Sequence, residues 1–478
     1  MSGTDPWALS LCEAADAIRS GRLRSEALTE ACLDRIDNTK HLNCVVAADC
    51  DSALESARAT DRAVAQGHDP GVLGGVPLAH KDMFYRKGRV TECGSLIRRD
   101  FVPDVTAAVL ERLDQAGAVD LARLHMAEFA MGPSGHNAHL GRCRNPWNPD
   151  HITGGSSSGS GSAVAARLAF GALGSDTGGS VRLPAAMCGV VGLKPTQGRV
   201  SRYGSMPLSD SLDCIGPLAR TVRDVARLMG VLAGADPRDP GTAAAPVPDY
   251  EAALDGASAG RLDGVRIGLP TSFYFENLDP EVAELVDAAR RTLESLGARV
   301  VDVAIPDHRQ LGELAGVVFT PEAATLHLPW LRERPGDYGE QVRARLLQGL
   351  TLPATAYLQA RTLRGRMLAG MVDGPLRHCD ALLAPVLKHP VPTGAETDVG
   401  AGDGMAKVVG GLAELTRPLS YLGLPGLSVP AGFTANGLPT AIQLIGKPFS
   451  EGELLSIGHA YELASGWTGQ APPLRSES

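Results

Sequence analysis

One lysine and two glycine-serine segments are the residues of this chain whose types and spacing can do chemistry. The lysine is Lys81, in the apolar stretch Gly75-Val76-Pro77-Leu78-Ala79-His80-Lys81-Asp82. The segments are Gly154-Gly155-Ser156-Ser157-Ser158-Gly159-Ser160 and Gly174-Ser175-Asp176-Thr177-Gly178-Gly179-Ser180-Val181-Arg182. A serine hydroxyl attacks a carbonyl only when a base takes its proton and N–H groups hold the oxyanion that forms. A lysine becomes such a base when burial disfavours its charged form. Glycine lets backbone N–H groups approach a substrate closely. Together these are parts for amide hydrolysis.

The same residues admit competing readings. A Gly/Ser run is most often a flexible linker, but an apolar helix follows this one at once. Gly155-Ser156-Ser157-Ser158-Gly159 fits a nucleophile elbow with Ser157 at its centre; the elbow needs a preceding strand, and Asn148 to Thr153 is a poor one. Lys194, in Gly192-Leu193-Lys194-Pro195-Thr196, reads as a structural lysine bonding loop carbonyls, and Asp82 and Asp213 as loop-fixing acceptors. His136 and His139 lack a carboxylate/histidine set, so no metal is expected. No phosphate-binding or dinucleotide fingerprint is present, and no cofactor is implied.

Several elements must position these residues. Ser25 is placed to cap a helix carrying Leu28, Ala31, Cys32 and Ile36. Residues 70 to 200 alternate short apolar runs with Gly/Ser/Pro turns and an Ala-rich helix near 162 to 172. A strand at Val265 to Leu269 leads through Asp279 and Pro280 into an amphipathic helix ended by Gly297, then a strand from Ala298 to Ile305. Ser450 with Glu453 predicts a capping box. Strands alternating with helices imply an α/β architecture.

The 478 residues are 44% hydrophobic, 21% charged and only 4% aromatic, so the core must be Ala, Val, Leu and Ile. A net charge of -9 without a basic stripe argues against direct nucleic-acid binding. No apolar run approaches the roughly 18 residues of a membrane span, and Met1 to Trp7 carries no leader pattern. Nine cysteines without finger spacing read as free thiols, and a cytoplasmic location is expected.

The three elements resemble the amidase signature family, which uses a Ser-cisSer-Lys triad. The resemblance extends through Asn145-Pro146-Trp147, Cys188 to Thr196, Ser211 to Pro217, Gly423-Leu424-Pro425-Gly426 and Gln443-Leu444-Ile445-Gly446. It implies a single large α/β domain, with a mixed twisted central sheet covered by helices on both faces. Residues 1–70 would form a helical segment packed on the core, 71–225 the triad-bearing core, and 226–478 the remainder with the pocket loops and a C-terminal helix. By the resemblance Ser180 is the nucleophile, Ser156 the bridging serine after a cis peptide, and Lys81 the base. Thr177, Gly178, Gly179 and Ser180 would form the oxyanion hole; Asp176 and Arg182 would brace the turn, and Met131 and Gly132 would line the pocket. Two positions depart from the family: Ser158 replaces a frequent glycine, and His80, read as outward-pointing and structural, replaces an aliphatic residue.

The resemblance implies an amidase acting on a carboxamide, anilide, urea or carbamate, in an apolar pocket suited to an uncharged substrate. Homodimers are common among such enzymes. The alternatives are a glutamine-hydrolysing component of a tRNA-dependent amidotransferase, or a non-catalytic interaction protein on the same fold. Leu412-Ala413-Glu414-Leu415-Thr416-Arg417-Pro418 lacks the Asp-Ile-Phe-Thr string of the amidotransferase branch, which favours a stand-alone amidase.

Overall fold

The computed structural model describes residues 5–255, 260–402 and 404–474, so the first four residues of the stretch read for a leader lie outside it. Among the described residues eleven strands form one mixed sheet. They are β1 (Val45–Ala48), β2 (Pro77–Lys81), β3 (Val119–Leu124), β4 (Gly171–Asp176), β5 (Val191–Lys194), β6 (Cys214–Ala219), β7 (Arg266–Pro270), β8 (Arg299–Val303), β9 (Ala381–Pro385), β10 (Gly426–Phe433) and β11 (Pro439–Ile445). Their order across the sheet is β1-β3-β2-β4-β6-β5-β10-β11-β9-β7-β8. Helices flank the sheet, giving the mixed α/β single domain the sequence implies. No described helix is long and apolar enough to cross a membrane.

The strand-helix-strand unit forms as expected. Asp279 accepts from Glu281 N at 3.0 Å and caps helix Pro280–Ser295, which joins β7 to its parallel neighbour β8. Other local expectations yield to tertiary partners. Residues 1–70 are not only helical: β1 pairs antiparallel with β3 at the sheet edge. Helix Ser25–Asp37 starts at Ser25, but the Ser25 hydroxyl donates to Gly75 O at 2.7 Å. The cap comes from Asp61, which accepts from Ser25 N at 2.7 Å and Glu26 N at 3.1 Å. Ser450 likewise donates to Lys447 O instead of capping helix Glu451–Ser465, so no capping box forms.

The second half of the Gly/Ser run is helix, and that helix begins earlier than expected, as Ser158–Ala165. Every residue in it is buried. A Cβ on Gly159 would sit 2.4 Å from Cys44 O and 2.5 Å from His125 N, so hydrogen side chains let the helix touch neighbouring backbone. By Gly171 the chain is already in β4, which leaves no room for helix to 172. All nine cysteines are free; eight are buried and Cys50 is exposed.

Candidate active site

Two parallel strands bring the chemistry together. β2 pairs with β4 through Ala79↔Ala172 and His80↔Leu173, so their carboxyl ends share one edge of the sheet. Crevices outside such ends are where open α/β sheets bind ligands. Lys81 ends β2, and Ser175 and Asp176 end β4. Lys81 Nζ lies 2.7 Å from Ser156 Oγ and 2.8 Å from Ser175 Oγ. Ser156 follows a cis Gly155–Ser156 peptide, and its carbonyl accepts from Ala127 N at 3.1 Å. A Cβ on Gly155 would meet Gly132 O at 2.5 Å, so only glycine fits before it.

Lys81 is 1% exposed. Burial pulls its amine down to about 7, while Asp213 and Asp176 pull the other way more weakly. A large share of the amine is therefore neutral at pH 7. His80 points to the opposite face of β2, as alternation requires. It is buried, not outward-pointing: it accepts from Leu173 N at 3.4 Å, and burial lowers its pKa to about 4. It carries no charge to tune its neighbour.

Ser180 sits on the turn between β4 and helix Arg182–Cys188. Asp176 and Arg182, both wholly buried, are paired at 3.0 Å. Burial alone would raise the Asp176 pKa, but the Arg182 guanidinium and backbone N–H groups hold it below the ordinary value. Asp176 also accepts from Gly179 N at 2.7 Å and Val181 N at 3.2 Å, so the pair braces the turn. This changes the expected oxyanion set: the Gly179 N–H is already committed to a carboxylate. The N–H groups of Thr177, Gly178 and Ser180 have no internal acceptor among the described residues. Gly179 is at φ +138°, and a Cβ there would lie 2.2 Å from Thr416 Oγ1.

Thr177, Gly178 and Ser180 line a narrow cleft. Gly132, Pro133, Phe319, Arg345, Val409, Ala413 and Arg417 also line it. Gly132 is where the sequence places it. Met131 instead lines a neighbouring cleft, and its carbonyl accepts from Arg345 Nη1 at 2.9 Å. Among the described residues no hydrogen bond joins Ser156 to Ser180: one faces the lysine and the other the cleft.

The remaining candidates resolve simply. Lys194 donates to Pro195 O at 3.0 Å, as a structural lysine. Asp82 bonds Arg123 and Glu92 N, and Asp213 accepts from Leu208 N and Ser209 N. Ser157 is buried and bonded to Ser175 backbone, with no strand before it, so it is no elbow. The buried Ser158 hydroxyl has no hydrogen-bond partner among the described residues. His136 bonds Thr397 and His139 bonds Glu128; among the described residues no cluster could hold a metal.

Sequence reasoning missed Ser175, Arg345 and Arg417. Ser175 stands one residue before Asp176 in the second glycine-serine segment, and its distance to Lys81 depends on strand pairing. The two arginines come from segments remote from both glycine-serine runs. Arg417 lies in the Leu412 to Pro418 stretch, whose informative feature in sequence is the string it lacks.

The chain is similar to known proteins across its length. The family model described as Amidase matches residues 27–455. A glutamyl-tRNA(Gln) amidotransferase subunit of Nitrosococcus oceani is 37% identical, over 97% of this chain and 99% of the relative. A solved structure described as a vestigial protein complex revealing the origins of an s-triazine catabolic enzyme is 35% identical, with TM-score 0.88, covering 95% of this chain and 98% of that one. The native peptide amidase of Stenotrophomonas maltophilia is 31% identical, with TM-score 0.85, covering 98% of this chain and 99% of that one. A family match of this extent, with relatives this similar over nearly the whole chain, means that this chain belongs to the amidase signature family.

Proposed function

We propose that this chain hydrolyses the C–N bond of a small amide through an acyl-enzyme on Ser180. The observation that carries the reading is the buried Lys81 amine 2.7 Å from Ser156 Oγ, beside the braced loop that sets Ser180 in a cleft. Neutral Lys81 takes the Ser156 proton as Ser156 takes that of Ser180. Ser180 Oγ bonds to the carbonyl carbon, and the N–H groups of Thr177, Gly178 and Ser180 receive the oxyanion. As the C–N bond breaks, the proton returns through Ser156 to the leaving nitrogen. Water then attacks the ester by the same relay and frees Ser180. Anilides, ureas and carbamates suit the same steps.

A second reading makes the chain the glutamine-hydrolysing component of a tRNA-dependent amidotransferase, working with partner chains. The names of its curated relatives support this more than a free-standing amidase. The retained Lys81, Ser156 and Ser180 speak against a non-catalytic role. A panel of carboxamides, anilides, ureas, carbamates and glutamine tests both readings. Ser180→Ala should abolish turnover of every substrate; retained activity would remove Ser180 as nucleophile. Hydrolysis of glutamine alone, and only with a partner chain added, would favour the second reading.

A further inference from the structure

The cleft beside Ser180 carries two arginines and no acid. Arg345 spends one N–H on Met131 O and sits 5.9 Å from the Phe319 ring. The Arg417 guanidinium has no hydrogen bond or ion pair among the described residues, although it is half-buried; burial lowers its pKa against the weaker opposing charge of Glu414. Burial, with the adjacent Arg417 charge, pulls the Arg345 pKa down to about 10, as expected for like charges held together. The carboxylates nearby are already committed. Asp176 is paired with Arg182, Glu414 with Lys388 at 2.7 Å, and Asp213 with Thr177 Oγ1 and two backbone N–H groups. No Asp or Glu lines the cleft. This local positive charge runs against a net chain charge of -9.

We infer that the cleft selects an anionic amide that carries no ammonium group, its carboxylate received by the guanidinium forks of Arg345 and Arg417. This rests on the acyl-enzyme reading above. A planar guanidinium matches a carboxylate through two parallel N–H···O bonds, and such charge-assisted pairs are the stronger hydrogen bonds. An α-ammonium, as in glutamine, would meet two cations and no counter-charge. A neutral amide would leave both guanidinium groups without a counter-charge in the cleft. The pocket is therefore not simply apolar, as its small residues alone suggested.

The test uses Ser180 itself as reporter. A neutral alkyl phosphonofluoridate forms a Ser180 O–P bond with loss of fluoride, and mass spectrometry of the intact chain measures its rate. Succinamate, its neutral counterpart succinamide, and glutamine then compete. Succinamate should protect Ser180 at a concentration at least tenfold lower than either of the others. Arg417→Leu should weaken succinamate protection by tenfold or more, and Arg417→Lys by less. Equal or better protection by succinamide or glutamine would overturn the inference. The wild-type comparison does so without depending on any variant folding. Failure of Ser180 to label at all would instead strike the acyl-enzyme reading, so the two failures are distinguishable.

Discussion

Burying Lys81 suits it to the proposed role of base and strains the folding balance at the same residue. Its amine titrates near 7 when folded against 10.5 ordinarily. The kcat/KM profile should therefore rise through an acid limb centred near pH 7; a flat profile from pH 6 to 9 would remove Lys81 as base. The stability sign follows from proton counts. Between pH 7 and 10.5 the unfolded chain binds a proton that the folded chain does not, so the cost of burying Lys81 fades as pH rises. Lys81→Met should thus abolish turnover yet raise Tm at pH 7 by a few degrees, a gap that closes toward pH 10.5 in thermal melts. Ser175 accepts from the same amine. Ser175→Ala should lower kcat by about tenfold. It should also move the acid limb to lower pH, because a hydrogen bond favouring the ammonium is gone. An unmoved limb would make Ser175 merely structural.

At the scale of elements, the helix Ser158–Ala165 is held by what its glycines lack. Gly159→Ala should destabilise by about 1–3 kcal/mol, since the new methyl meets Cys44 O and His125 N, both backbone. Gly410, in helix Gly404–Leu412, has nothing within 4 Å of a Cβ. Gly410→Ala should stabilise by about 0.5–1 kcal/mol. Chemical denaturation of both variants checks the pair, and equal effects would show that backbone approach is not what the Gly/Ser run is for.

The same contrast explains what the sequence could tell. The β7–helix–β8 unit was legible because Asp279, Pro280 and Gly297 signal its ends locally. The cap of helix Ser25–Asp37 was not, because Asp61 reaches it from another helix. The Gly/Ser run was legible only in part: the apolar helix after it argued against a linker, but the helix's start at Ser158 depends on the backbone it packs against. Lys81, Ser156 and Ser180, the proposed triad, were picked out through motifs of a known family. Arg345 and Arg417 reach the cleft from helices hundreds of residues away and leave no local pattern.

Seen as one molecule, the chain supplies every part of the candidate site itself: Lys81 and Ser156 on one side, Ser180 with Arg345 and Arg417 around the cleft. Specific activity should therefore be independent of protein concentration across any dissociation seen by size-exclusion chromatography. Loss on dilution would mean that a second chain completes the site.

The cysteines give the fold a different use. Burial pushes thiols such as Cys32 and Cys93 up to about 12, which starves reagents of thiolate, while Cys50 stays open at the start of helix Cys50–Ala65. An alkylating reagent thus finds one address on the folded chain and nine on the unfolded one. The mass added per molecule becomes a clock for global opening, and Cys50 is a handle for a single fluorophore.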